Sequence, residues 1–215
     1  MTYVYLKTLF LIPQISNTTN NMEALFNFAN RITPISRETY ELIKPHLKHI
    51  SVKANTVLCD VGDDANNMFF IVSGVARTSA VSENGKTFTR TLHTANQFLG
   101  PYSNLIKNEK SNLVYEALTD CEIIQSAHKD VLKHFGHLPE MMQFEIKILQ
   151  HLYNDMQKTI ISLGTLNAKQ RYLKLLKRIA GIEELIPQYQ IASYLGITPI
   201  QLSRIRKSLA DQVMS

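Results

Sequence analysis

The chain has 215 residues, 45% of them hydrophobic, with 23 Lys and Arg against 18 Asp and Glu. That apolar content excludes a disordered chain and allows one large domain or two modest ones. Two cysteines far apart, Cys59 and Cys121, exclude a disulfide framework and paired-cysteine metal spacing, and point to a reducing, cytoplasmic setting.

The N-terminal stretch "MTYVYLKTLFLIPQ" is a short apolar run broken by Lys7, without a basic start or a small-residue cleavage site, and it reads as no signal peptide. No apolar stretch approaches the roughly 20 residues of a membrane span, so no membrane partner is expected. "QISNTTNN" reads as a linker, and residues 1–21 as a poorly ordered extension. Residues 22–50 read as helical. Leu25, Phe26, Phe28, Ala29 and Ile32 cluster at helical spacing, and Ser36 is placed to cap "SRETYELIKPHL".

Residues 51–127 change period. "TVLC", "MFFIVSG", "VARTSAVS", "TFTRTLH" and "CEIIQS" are short β-prone runs punctuated by Gly62, Gly74, Gly85 and Gly100. That pattern predicts an antiparallel sandwich or barrel. "SENGK", Ser82–Lys86, predicts a type I′ hairpin turn centred on Asn84-Gly85.

Helix returns over residues 128–164. Met142, Ile146, Leu149, Tyr153, Met156, Ile160 and Leu163 alternate spacings of four and three, a heptad seam with Ile146, Tyr153 and Ile160 at a. The bland reading is packing on the chain's own β domain, and a second apolar set, Phe144, Ile148 and Leu152, could serve that purpose. The spacing favours a parallel homodimer through the seam. A further helix, "KQRYLKLLKRIAG", is expected to end at Gly181.

The whole net charge of +5 sits in residues 165–215, which carry eight Lys and Arg against Glu183, Glu184 and Asp211. A basic module on a neutral body suits a polyanion, most simply nucleic acid. Within it, "QYQIASYLGITPIQLSRIRK" places Ile191, Leu195, Ile197, Leu202 and Ile205 as a wedge between two helices, Ala192 where their backbones approach, and Gly196 at the turn. Thr198 caps the second helix and Pro199 begins it. This spacing predicts a helix-turn-helix, and the expected partner is double-stranded DNA. The candidate DNA-binding residues are Thr198, Pro199, Ile200, Gln201, Ser203, Arg204, Arg206 and Lys207. Gln201 suits adenine, Arg204 guanine or phosphate, Ile200 a thymine methyl, and Arg206 and Lys207 the backbone.

The order helix, glycine-punctuated roll, long helix, helix-turn-helix resembles the Crp/Fnr family of bacterial transcription factors over roughly residues 25–210. "VGDDANNMFFIVSGVARTSAVSENGKTFTRTLH" is similar to the family's sensor core and "IASYLGITPIQLSRIRKSL" to its DNA-binding element. The resemblance implies an α+β fold: a cyclic-nucleotide-binding-like antiparallel β-roll over residues 22–135, a dimerisation helix over 136–164, and a winged helix-turn-helix over 165–215. It implies a homodimer on an inverted-repeat operator, with RNA polymerase as a further partner.

Two departures bear on function. The family's pocket uses a "GEL" segment and an "RS" pair. Here "FLGPYSNL" puts Pro101 at the Glu, and "EKSNLVYEAL" puts Lys110 or Ser111 near the Arg. The effector segment implied is Phe98, Leu99, Gly100, Pro101, Tyr102, Lys110, Ser111 and Asn112. Without the arginine, a cyclic phosphate loses its bidentate partner, so cyclic AMP is not expected and another small effector, or none, is. In the recognition helix Pro199 and Ile200 stand where cyclic-AMP-type readers carry Arg-Glu, so the operator should differ. Two distant cysteines do not supply an iron–sulfur cluster, and His134 with His137 reads as ordinary surface or core histidine, so neither metal nor cofactor is expected. The alternative to a regulator is a ligand-binding or protein-interaction module with a vestigial helix-turn-helix. No nucleophile elbow, phosphate loop or Asp/His cluster suggests an enzyme or a catalytic residue; "GKT" at Gly85–Thr87 lacks the earlier glycine of a phosphate loop.

Overall fold

A computed structural model describes residues 18–83, 85 and 87–213. It opens with α1 (Thr18–Ile32), α2 (Arg37–Ile43) and a 3-10 turn at Lys44–His46. Eight strands follow: β1 (Leu47–Val52), β2 (Val57–Cys59), β3 (Met68–Ser73), β4 (Ala76–Val81), β5 (Thr87–His93), β6 (Gln97–Leu99), β7 (Val114–Ala117) and β8 (Cys121–Ser126), with α3 (Tyr102–Lys107) between β6 and β7. They form two antiparallel four-stranded sheets, ordered β1-β8-β3-β6 and β2-β7-β4-β5. The chain then runs through α4 (His128–Phe135), the 27-residue α5 (Pro139–Thr165), α6 (Ala168–Arg178), α7 (Ile182–Leu185), α8 (Gln188–Leu195) and α9 (Pro199–Val213).

The period-2 pattern of β3 divides its side chains between two cores. Phe69 and Ile71 meet Ala76, Leu99, Tyr115, Ala117 and Ile123 between the sheets. Phe70 points to the other side and packs with Leu25 of α1 and Ile124. The second sheet is covered on its own outer side. There Val75, Leu92 and Leu118 join one cluster with Tyr172, Leu175, Ile186, Ile191 and Leu202. The roll thus lies between α1 and the C-terminal helices.

Ser36 caps α2 as expected, its hydroxyl accepting from the Thr39 amide. Several expectations are corrected. Residues 47–50 are not helical: β1 pairs with β8 from Leu47↔Ser126 to Val52↔Cys121. Residues 18–21 are not linker, because α1 begins at Thr18 and Asn21 is buried with its amide 2.8 Å from His49 Nε2; residues 1–17 lie outside the described residues. The β4–β5 turn is not two-residue type I′. The Gly85 amide donates to Ser82 O (2.8 Å), which makes Gly85 the fourth turn residue, at φ +75; Asn84 and Lys86 lie outside the described residues. α6 stops at Arg178, and Gly181 caps α7 instead, in the left-handed region. No strand occurs among the described residues after Ser126, so the wing is absent from them; the link from α6 to α8 is taken up by α7.

His93, at the end of β5, is buried with Nε2 2.8 Å from Thr78 Oγ1. Burial, reinforced by the charges of Arg90 and Arg178, pushes its imidazole down to about 3. Unfolded histidine titrates near 6.5, so below that pH the unfolded chain takes up a proton that the folded one refuses. The stability contributed by neutral His93 is whole above pH ~6.5 and is lost as pH falls towards 3. His93→Gln is expected to remove up to about 1.4 kcal/mol per pH unit from the acid slope of stability between pH ~6 and ~4, measured by urea unfolding across that range.

Candidate nucleic-acid interface and effector segment

The helix-turn-helix is built as its sequence dictates. Ile191, Ala192 and Leu195 of α8 and Leu202 of α9 are almost wholly buried, and Ile197 and Ile205 pack against them. Gly196 sits at φ +67, ψ 33 and its amide donates back to α8, closing that helix so that α9 can start in a new direction. Thr198 caps α9: its hydroxyl accepts from the Gln201 amide (3.2 Å), while Gln201 Oε1 accepts from the Thr198 amide (2.8 Å) and hydroxyl (3.1 Å). This is a capping box.

That box bears on the candidate readers. A bidentate contact to adenine needs the Gln201 carbonyl oxygen free, and here it is committed to Thr198. Arg206 is also committed, its Nε 2.8 Å from Glu183 Oε1, which in turn accepts from the Tyr172 hydroxyl. The T-x-x-Q spacing made the first of these readable from sequence; the second joins residues far apart in the chain. Ile200, Ser203, Arg204 and Lys207 remain. They are exposed and follow i, i+3, i+4, i+7, one stripe on α9, opposite the inward Leu202, Ile205 and Leu209. Pro199 is exposed at the first position.

The module is fastened to the roll by a polar network that carried no sequence signal. Glu116, Arg77 and Leu92 are cross-strand neighbours on the outer side of the second sheet. Arg77 Nε lies 2.5 Å from Glu116 Oε1, and its Nη1 donates to Gln190 Oε1 of α8 (2.5 Å) and Thr89 Oγ1 (3.3 Å). The Thr89 amide donates to Ser193 Oγ (3.1 Å). Arg171 ties the end of α5 to the helix-turn-helix, donating to Leu166 O (2.7 Å) and Leu195 O (3.0 Å).

The effector segment departs from expectation. A cavity of about 300 Å3 is lined by Leu58, Cys59, Asp63, Asp64, Asn66, Asn67 and Phe69, none of them among the anticipated residues. Phe98 is spent in an aromatic cluster with Phe28, Phe70 and Phe144 of α5. Leu99 is core. Gly100, at φ +144, leaves no room for a Cβ, which would lie 2.7 Å from Met68 Sδ. Pro101 precedes α3 without a side-chain cap, and Asn112 is exposed. Lys110 Nζ is 2.5 Å from Asp64 Oδ1. Ser111 is buried, its hydroxyl donating to Leu113 O (2.7 Å).

Tyr102 instead reaches α5. Burial raises its phenol well above the usual range, helped by a hydrogen bond to Glu145. Burial also works to raise the Glu145 carboxyl, but the His128 ring, 3.2 Å away, and the Tyr102 hydroxyl lower it on balance. The segment thus meets the base of α5 twice, through Phe98–Phe144 and Tyr102–Glu145. His134 stacks on His46, and no group of three metal-ligating side chains occurs among the described residues.

The seam residues Met142, Ile146, Leu149, Tyr153, Met156, Ile160 and Leu163 are all exposed, from 39% at Leu149 to 66% at Tyr153 and Ile160. Of the second apolar set, Phe144 packs on the α1–α2 core, whereas Leu152 is exposed.

Residues 49–136 match the cyclic nucleotide-binding domain family. A curated relative, the cAMP-activated global transcriptional regulator CRP of Haemophilus influenzae, is 23% identical over 169 residues, spanning 74% of this chain and 75% of its own. The fold is similar to that of CLP, a c-di-GMP-responsive global regulator of Xanthomonas campestris, with TM-score 0.65 and 17% identity over 82% of this chain and 93% of that one. The chain carries a cyclic nucleotide-binding domain, and its fold is similar to that of Crp/Fnr-type proteins. The fold of FixK2 from Bradyrhizobium japonicum is likewise similar, with TM-score 0.64 and 18% identity over 77% and 85% of the two chains. The matched domain ends beside α4; the helix-turn-helix lies beyond it and rests on the likeness of fold across the chain. No helix among the described residues is long and apolar enough to cross a membrane.

Proposed function

We propose that the protein is a homodimeric, sequence-specific DNA-binding regulator that places two α9 helices in successive major grooves of an inverted repeat, about 34 Å apart. The observation that carries this reading is the exposed stripe Ile200–Ser203–Arg204–Lys207 on a basic module. Dimerisation through α5 is supported by the exposed seam and by the isolation of the helix. From His151 to Ile161 every residue is exposed, and a helix of that length gains its stability from packing rather than from propensity. RNA polymerase enters as the partner on which such a regulator acts.

Cyclic AMP is not part of this reading. The residues present do not fit a cyclic phosphate: no arginine stands in the segment, Lys110 is paired with Asp64, and the cavity presents Asp63 and Asp64. Relatives respond to different nucleotides, cAMP in the Haemophilus protein and c-di-GMP in CLP, so the shared fold does not choose an effector. Another small ligand at the segment would reach α5 through Phe98–Phe144 and Tyr102–Glu145, shifting the dimer helix or its end near Leu163–Asn167.

Titration of the bound operator tests the assignment. Arg204→Ala is expected to weaken binding about 10- to 100-fold and relax one base preference. Lys207→Ala should weaken binding to all duplexes alike and lower the salt slope by about one. Two silent substitutions would instead mark the helix-turn-helix as vestigial.

A further inference from the structure

The first turn of α9 carries an unusual choice of side chain. Ile200 is 67% exposed, more than any other large apolar residue among the described residues. A single exposed apolar residue needs no explanation by itself. Here, however, its polar neighbours are spent. Thr198 and Gln201 close on each other in the capping box, and Pro199 has no polar side chain. One turn further along the same stripe stand Ser203 and Arg204, and beyond them Lys207.

A helix entering the major groove meets base edges with its N-terminal turn. The group this turn presents has neither donor nor acceptor. Of the groups that bases present in the major groove, the 5-methyl of thymine is the largest apolar one, so thymine rewards burial of the isoleucine most. Opposite guanine, cytosine or adenine, the same side chain would cover a donor or acceptor and leave it unpaired. The positive stripe behind Ile200 keeps the turn at that depth by holding the phosphates and a guanine edge.

Resting on the DNA-binding reading above, we propose that Ile200 is a specificity-determining residue that reads the 5-methyl group of one thymine in each half-site. The contact replaces polar readout at this turn, and Arg204 supplies the polar readout one turn later. Base preference at the thymine position is therefore set by a methyl group and not by a hydrogen bond.

Deoxyuridine isolates that methyl, because it differs from thymidine by nothing else. The probe is the inverted-repeat duplex that the wild-type protein selects from a random pool, with each thymidine replaced singly by deoxyuridine. One symmetry-related pair of positions should weaken wild-type binding about fourfold per replacement, the worth of one buried methyl. Ile200→Ala should bind the parent duplex with the same salt slope and show no loss at that pair, while Ile200→Val should retain a reduced loss. Intact, salt-sensitive binding with no replacement exceeding about twofold, or an equal loss in Ile200→Ala, would overturn this assignment alone. No salt-sensitive binding to any duplex would overturn the DNA-binding reading and this one with it.

Discussion

Tyr153→Glu combined with Ile160→Glu should convert the protein to a monomer and weaken binding to a full inverted repeat by about 10²- to 10⁴-fold. In a parallel pair each a residue faces its own copy, so both substitutions set carboxylate against carboxylate in a dry seam. Tyr153 and Ile160 are each 66% exposed, so neither change disturbs a buried core of the subunit. What is lost is the coupling of two half-sites. A dimer binds its second half-site at an effective concentration near millimolar, and a monomer must bind it from solution. Leu42→Glu, 50% exposed on α2, serves as the control and should leave the dimer intact. Sedimentation gives the oligomeric state and gel shift the affinity. A double variant that remains dimeric and binds normally would remove α5 from the account.

Arg77→Met should cost about 3 kcal/mol of stability, because it breaks a buried pair and leaves one charge behind. The Arg77 and Glu116 side chains are only 13% and 16% exposed. The substitution strands the Glu116 carboxylate against the sheet and removes the donor that Gln190, itself 4% exposed, depends on. Adding Glu116→Leu should recover most of the loss, since replacing both charges by apolar groups avoids the uncompensated one. Denaturant unfolding measures the sum. Hydrogen exchange on α8 measures the local part: its amides should lose protection in Arg77→Met more than those of β3, because the network holds α8 to the sheet. A loss below about 0.5 kcal/mol would mean that the pair is solvated and that α8 does not depend on it.

The features legible in the sequence are those set by local chemistry. Ser36, Gly196 and Thr198 behave as their types require, and the wedge from Ile191 to Ile205 is buried as its spacing implies. The runs that became β3, β4, β5 and β8 were strongly β-branched or aromatic. β1 was hidden because Lys48, His49 and Ser51 dilute its apolar residues, and its strand character comes from pairing with the sequence-distant β8, from Leu47↔Ser126 to Val52↔Cys121. β6 and β7 span three and four residues, too short for a period to show. On α9, helix position was legible and side-chain availability was not. Gln201 and Arg206 lie on the expected helix, yet one is held by a cap and the other by Glu183. The Arg77–Gln190 contact joins residues 113 apart, and no periodicity encodes it. In the effector segment the motif positions were legible in order, but not the partners of their side chains, Phe98 against Phe144 and Lys110 against Asp64.

Selection of duplexes from a random pool by the wild-type protein, followed by titration of the recovered sequence at several salt concentrations, tests the central claim most directly. The account predicts an inverted repeat with half-sites about one helical turn apart, and a steep salt dependence. Recovery of no symmetric sequence, with binding that does not change with salt, would contradict it.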